Sequence, residues 1–190
     1  MSDQNVAIAQ ALGYKDPRVV QSLVVVKAAH VGTKVIPHQD GCTSFTDPPS
    51  NTTFWYALED ANKENGCLAV APGSHRVTPI SKRCRIDEKG LPVFEMLEVP
   101  ISAHVEGVSD CAAAPERTEN GDFVFKELEV TAGSVVLMHA NLMHTSAANQ
   151  SEKSRVAFHF GLVEGGLEWK EDNYLQPADG ETEFERLHAC

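Results

Sequence analysis

Hydrophobic and polar positions along the chain alternate in short runs broken by turn residues, with little helical period. Residues 4–13 predict one short helix, stopped near Gly13 and by Asp16-Pro17. Val19 to Ala29 is mostly apolar and rich in Val, which predicts a buried strand. Pro37 ends that region and leaves His38-Gln39-Asp40 at a strand edge or in a loop. Thr52 to Leu58 predicts a strand with two core aromatics, Phe54 and Trp55. Asn65-Gly66 is a strong hairpin signal, so Cys67 to Ala71 is expected to return beside it. Residues 76–125 carry scattered charge, Pro and Gly with no sustained period, and predict a long loop excursion acting as a lid or substrate loop. Strands then resume at Leu128–Ala132, Gly133–His139 and Arg155–Val163, and a polar and aromatic tail packs over the outside. Short strands with so little helix predict a mainly β domain, a sandwich or jelly roll spanning residues 1–190.

Charge narrows the partners. A net charge of −11 argues against a nucleic-acid partner, because phosphate binding needs a basic surface. One local Arg can still hold a small anion. No apolar run is long enough to span a bilayer, and no secretory or peroxisomal address is visible, so the expectation is no membrane partner and a cytoplasmic location. Five cysteines at wide spacings without a CxxC read as reduced thiols.

The candidate chemistry begins with His38 and Asp40. Residues two apart on an extended chain point to one side, so both can reach one ion. His144, 106 residues later (144 − 38), is the candidate third ligand. Two imidazoles and a carboxylate on one face leave the other face of an ion open, the donor set of non-haem Fe(II) oxygenases. Taken alone, an HxD triplet is common, and in a chain with eight His it is weak evidence. Arg155 adds to it. It lies eleven residues after His144, where a hairpin would return it near the metal, and its fork can hold a carboxylate such as the distal one of 2-oxoglutarate. Ser146 can add a hydroxyl to the same carboxylate. The competing reading of Arg155 is a surface ion pair with Glu152 or another acid. On the Arg155 strand, Ala157 and His159 share the inward side while Phe158, Phe160 and Leu162 face outward. His159 is therefore a substrate-facing candidate, against the alternative of a hydrogen-bonded core histidine. Cys42, two residues after Asp40, is a second candidate, against the alternative of a buried structural thiol. His139 reads as structural or as a partner of a metal ligand, and His75 as part of a turn near the barrel mouth.

Several ordered stretches resemble the phytanoyl-CoA dioxygenase family, and most of all its domain-containing branch. They are Gln21 to Lys27, Pro37-His38-Gln39-Asp40, Trp55 to Ala61, Glu64 to Leu68, Pro72-Gly73-Ser74-His75, His144-Thr145-Ser146 with Arg155, and Asn173 to Pro177. The resemblance covers residues 18 to 178. It implies a double-stranded β-helix of cupin-like jelly-roll type, with Fe(2+) held by His38, Asp40 and His144. It implies 2-oxoglutarate as co-substrate, held by Arg155 and Ser146, with Trp55 lining its pocket and Leu23 standing where the family often has Met. O2 is then the oxidant, ascorbate a stimulatory reductant, and succinate and CO2 the co-products. With Asp40 present, hydroxylation or a related oxidation of a small-molecule substrate is favoured over halogenation. The resemblance also implies an N-terminal segment ahead of Gln21, carrying a Lys for the co-substrate, and neither Lys15 nor Lys27 is an obvious replacement. A shortened chain would expose apolar sheet surface and favour a homo-oligomer. The alternatives are a catalytically weak, binding-only relative and a cupin-type metalloenzyme that uses no 2-oxoglutarate.

Overall fold

The computed structural model describes residues 3–102 and 114–188. His104, Cys111, Cys190 and part of the 76–125 excursion lie outside the described residues. Helix α1 runs Asp3–Ala11, close to its expected bounds. It stops where Gly13 takes a left-handed φ of 90°. Four strands, β1 (Pro17–Lys27), β10 (Arg155–Glu164), β3 (Thr52–Ala57) and β8 (Val135–His139), form one antiparallel sheet in that order. A second sheet holds β2 (Val35–His38), β9 (His144–Ser146), β4 (Leu68–Val70) and β7 (Lys126–Leu128). The chain is mainly β, and its two four-stranded sheets are the halves of a jelly roll.

Period-two alternation on β10 places its residues in two different environments. Ala157 packs inward with Trp55, Leu68 and Met138, residues drawn from both sheets. Phe160 and Leu162 point outward into a cluster with Phe54, Ala9 of α1 and Leu187 of the tail. Phe54 stacks on Phe160 with ring centroids 4.8 Å apart. The helix and tail thus cover the sheet's outer face, and the inner face is left for a site between the sheets.

Four sequence expectations change. The strand from Val19 is not buried: β1 is a sheet edge, and Val24 and Val26 are each 57% exposed. An apolar run is compatible with an edge because one side of it still pairs, here with β10. The Asn65-Gly66 hairpin does not form. β3 pairs with β10 and β8, whereas β4 lies in the opposite sheet between β9 and β7. The Asn-Gly turn, with Gly66 at φ 77°, is part of the crossing from one sheet to the other. The expected strand at Leu128–Ala132 is instead β7 at Lys126–Leu128, followed by a single bridge from Val130 to Ala61. Short β9 was missed because three residues, His-Thr-Ser, carry no readable alternation.

The excursion is not irregular either. After the single turn α2 (Ser74–Val77), β5 (Ile80–Ile86) and β6 (Pro92–Ile101) pair as an antiparallel hairpin. Its period was hidden because Phe94 and Met96 on β6 are exposed while Glu95 faces Arg83. Arg83 also holds Asp172 at 2.6 Å, which ties the hairpin to the tail. Ile80 packs against Cys42 and Phe45, so the hairpin is rooted beside the turn that begins at Asp40. Among the described residues no helix is long and apolar enough to cross a membrane.

Candidate metal centre

The pairing of β2 with β9 sets His38 directly opposite His144. Their ring centroids lie 4.1 Å apart. The backbone stays extended through Gln39 (φ −124°, ψ 130°) before a 3-10 turn, Asp40–Cys42, so Asp40 falls on the His38 side. Oδ1 of Asp40 is 3.5 Å from Nε2 of His38 and 3.5 Å from Nε2 of His144. One donor atom from each of the three residues lies within 4.8 Å of the other two. Each imidazole is fixed by a backbone carbonyl two residues back: Nδ1 of His38 to Ile36 O at 2.8 Å, Nδ1 of His144 to Leu142 O at 3.0 Å. With Nδ1–H donating, each Nε2 keeps its lone pair for an ion.

Burial works against ionising Asp40, but the His38 contact, the His144 charge and a hydrogen bond from Thr53 outweigh it and hold the carboxyl well below the usual range. Burial also opposes the charged form of both imidazoles. In half-exposed His38 the Asp40 contact overcomes it and raises the pKa, while in buried His144 burial prevails and lowers it. The side chain of His38 is 39% exposed and that of His144 6%, so the centre opens on the β2 side.

A cavity of about 100 Å³ lies against the triad, lined from one sheet by Lys27, Trp55, Arg155 and His159 and from the other by Ser146 and Leu68. Arg155 is 2% exposed, and its Nη2 donates to Gly66 O at 2.6 Å. Its Nε and Nη1 are buried without a partner, and among the described residues it makes no ion pair. Burial lowers its pKa. Its guanidinium carbon sits 5.4 Å from the Trp55 ring centroid. A buried cation with idle donors is costly unless an anion meets it. The triad's donor set and these idle donors therefore fit a divalent metal beside a small carboxylate. Arg155 is not the surface ion pair of the competing reading. It also arrives by strand crossing and not by a hairpin, since β9 and β10 belong to opposite sheets.

Other candidates fall differently. His159 lines the cavity, opposite Trp55 and Leu23 in register. Leu23 does not line it; Val25 and Lys27 on the same strand do. Cys42 is buried with Phe45 and Ile80, away from the cavity lining, and burial pushes its thiol up to about 11. It is a packed core thiol. Cys42, Cys67 and Cys84 are all free. His75 and His139 pair with centroids 5.5 Å apart.

Three contributors escaped the sequence reading. Lys27, set aside there, is 3% exposed and lines the cavity; its Nζ donates to Thr33 O at 2.7 Å and to Ala147 O. Burial, with Arg155 nearby, lowers its pKa to about 8. Thr53 donates from Oγ1 to Asp40 Oδ2 at 2.6 Å. It lies two residues before Trp55 on one strand face, a period-two signal that could have found it. Gln39, inside the triplet itself, donates from Nε2 to Asn141 O at 2.9 Å and Thr78 O at 3.1 Å. That clamps the metal-ligand turn to α2 and to the segment leading into β9.

The jelly roll thus brings together two His and one carboxylate that could hold one metal ion, beside a buried Arg. The Phytanoyl-CoA dioxygenase (PhyH) family profile matches residues 3–157, and the chain belongs to that family. It is 36% identical over 173 residues to "Phytanoyl-CoA dioxygenase" of Arabidopsis thaliana and 38% identical over 173 residues to "Phytanoyl-CoA dioxygenase domain-containing protein 1" of Bos taurus. Both alignments cover 90% of this chain and 54% of the relative, so the chain spans about half the length of the curated relatives it matches. Among solved structures, the epimerase SnoN in complex with Fe3+, alpha ketoglutarate and nogalamycin RO shares the fold at TM-score 0.59 and 21% identity, over 98% of this chain and 68% of that one. The carbocyclase SnoK shares it at TM-score 0.56 and 22% identity, over 92% and 61%.

Proposed function

We propose that this chain is an Fe(II)/2-oxoglutarate-dependent dioxygenase that hydroxylates or otherwise oxidises a small organic substrate, with release of succinate and CO2. The observation that carries this reading is Arg155: two buried, partnerless donors in the same cavity as His38, Asp40 and His144. Fe(II) with a bound 2-oxo acid supplies activation of dioxygen for attack on a C–H bond.

This chain's residues do the rest. His38 and His144 present Nε2, and Asp40 presents Oδ1 because Thr53 occupies Oδ2. Arg155 and Ser146 hold the distal carboxylate of the co-substrate, and Trp55 flanks the guanidinium. Leu68 and Met138 line the cavity with apolar surface. The substrate approaches on the exposed His38 side. The β5–β6 hairpin shapes that approach, a role supported by its root on the turn that begins at Asp40.

Anaerobic mixing with Fe(II) and 2-oxoglutarate should give the weak visible charge-transfer band of an iron-bound 2-oxo acid. Air with ascorbate should then yield succinate. Iron bound with no band rejects the proposal. A band with no succinate under any substrate supports the binding-only alternative. Turnover left intact by Arg155→Ala supports a cupin enzyme that needs no 2-oxoglutarate.

A further inference from the structure

His159 stands out among the cavity residues because the proposed ligand set leaves it no role. It lies four residues after Arg155 on β10, on the same inward face. Strand rise separates the two by about 13 Å along the sheet, so they border different parts of one cavity. The Nε2 atom of His159 is buried and, among the described residues, has no hydrogen-bond partner. His159 sits opposite Trp55, two residues along β3 from Thr53, whose hydroxyl holds Asp40, which places it toward the metal end of the cavity; burial lowers its pKa and so favours the neutral ring. A neutral imidazole can offer one N–H as donor. Leaving a buried donor idle costs stability, and such groups in a native fold call for an explanation.

Taking the cavity as a 2-oxo acid site, we propose that His159 is a further polar anchor there, donating from Nε2 to the metal-proximal end of the diacid while Arg155 and Ser146 hold the distal carboxylate. His159 lines the same cavity as Arg155, and the substrate approaches from the exposed His38 side, so an atom buried in the cavity wall meets the co-substrate first.

The test is calorimetric binding of 2-oxoglutarate to the Mn(II)-loaded full chain without oxygen, together with the charge-transfer band of the Fe(II) form. Three variants separate donor from packing. His159→Gln can place an amide N–H near the Nε2 position, His159→Asn draws it back, and His159→Leu removes it. The expected result is 2-oxoglutarate binding about tenfold weaker in His159→Leu and His159→Asn, with a shifted band and unchanged Mn(II) affinity, and near-native binding in His159→Gln. The apo form of His159→Leu should melt no lower than the parent, since it removes an idle buried donor. Native affinity in His159→Leu or His159→Asn overturns the assignment. So does equal weakening in all three variants, because packing would then be the cause. If the parent chain itself binds Mn(II) but no 2-oxoglutarate, this inference and the proposed function fall together. If the parent binds and only the variants behave unexpectedly, the proposed function stands.

Discussion

Thr53 and Asp40 divide the work of one carboxylate: Thr53 Oγ1 holds Oδ2 at 2.6 Å, and Oδ1 is left 3.5 Å from each imidazole nitrogen. The hydroxyl leaves Asp40 one oxygen, of fixed direction, to offer a metal. Thr53→Val should weaken Fe(II) or Mn(II) binding on the order of tenfold or more, the usual cost of losing a group that orients a metal ligand. Thr53→Ser should retain most of the affinity. Metal titration of both variants checks this, and equal affinity in Thr53→Val would show that the contact does not orient the ligand.

Arg155 should be intolerant of Lys. A lysine brings one point charge and cannot offer the paired donors of the fork. Arg155→Lys and Arg155→Ala should both weaken 2-oxoglutarate binding by roughly 10- to 100-fold, the range for a charged hydrogen bond. Metal affinity should hardly change. Arg155→Ala also removes an unpaired buried cation, so its thermal stability without ligand should match or exceed that of the parent. A large drop in melting temperature would show that Arg155 is mainly structural.

Gln39 should couple stability to the metal centre. Gln39→Ala leaves Asn141 O without the Nε2 donor, while Thr78 O still accepts from Asn141 Nδ2 at 3.1 Å. The expected cost is about 1–3 kcal/mol in denaturant unfolding. Metal affinity should fall as well, because the turn carrying His38 and Asp40 loses its clamp. Loss of stability with native metal affinity would confine Gln39 to packing.

Gly66 faces two constraints at once. At φ 77° a side chain is strained, and a Cβ would come within 2.5 Å of Ala147 O. Gly66→Ala should cost about 1–3 kcal/mol of stability. It should also weaken 2-oxoglutarate binding, because Gly66 O accepts from Arg155 Nη2 and helps to aim the guanidinium. Unfolding and binding measured together check the pair.

Acid should destabilise the metal-free fold through His139. Burial, with His75 nearby, holds His139 down to about 4, while the unfolded chain protonates it at its ordinary value near 6.5. Below that value the unfolded state binds the extra proton, so stability falls as pH drops from about 6.5 toward 4. Melting curves across that window should show the loss, and His139→Asn should flatten it. His75, also lowered by burial, contributes in the same direction. An unchanged slope in His139→Asn would place the effect elsewhere.

Much of the site was legible locally because strand geometry has a period of two. That period put His38 and Asp40 on one side and aligned Arg155, Ala157 and His159 inward against Phe158, Phe160 and Leu162. Element positions followed at α1, β3, β8 and β10, where patterns are long or bounded by clear stops. The β5–β6 hairpin defeated that logic because apolar side chains occupy its exposed face.

Which strands pair is a different kind of information. Nothing near His144 says that β9 lies against β2, 106 residues earlier (144 − 38), yet that pairing alone brings the two imidazoles together, tilted with centroids 4.1 Å apart. Nothing near Asn65-Gly66 says that the chain there crosses between sheets instead of doubling back, or that Gly66 will hold Arg155. Lys27 looked like an ordinary strand lysine until the register Lys27↔Arg155 placed it against the cavity wall. Local pattern decides which way a side chain points, because that depends on the residue's own backbone. Contacts between distant strands depend on how two whole sheets bury their inner faces together, and only the assembled fold settles them.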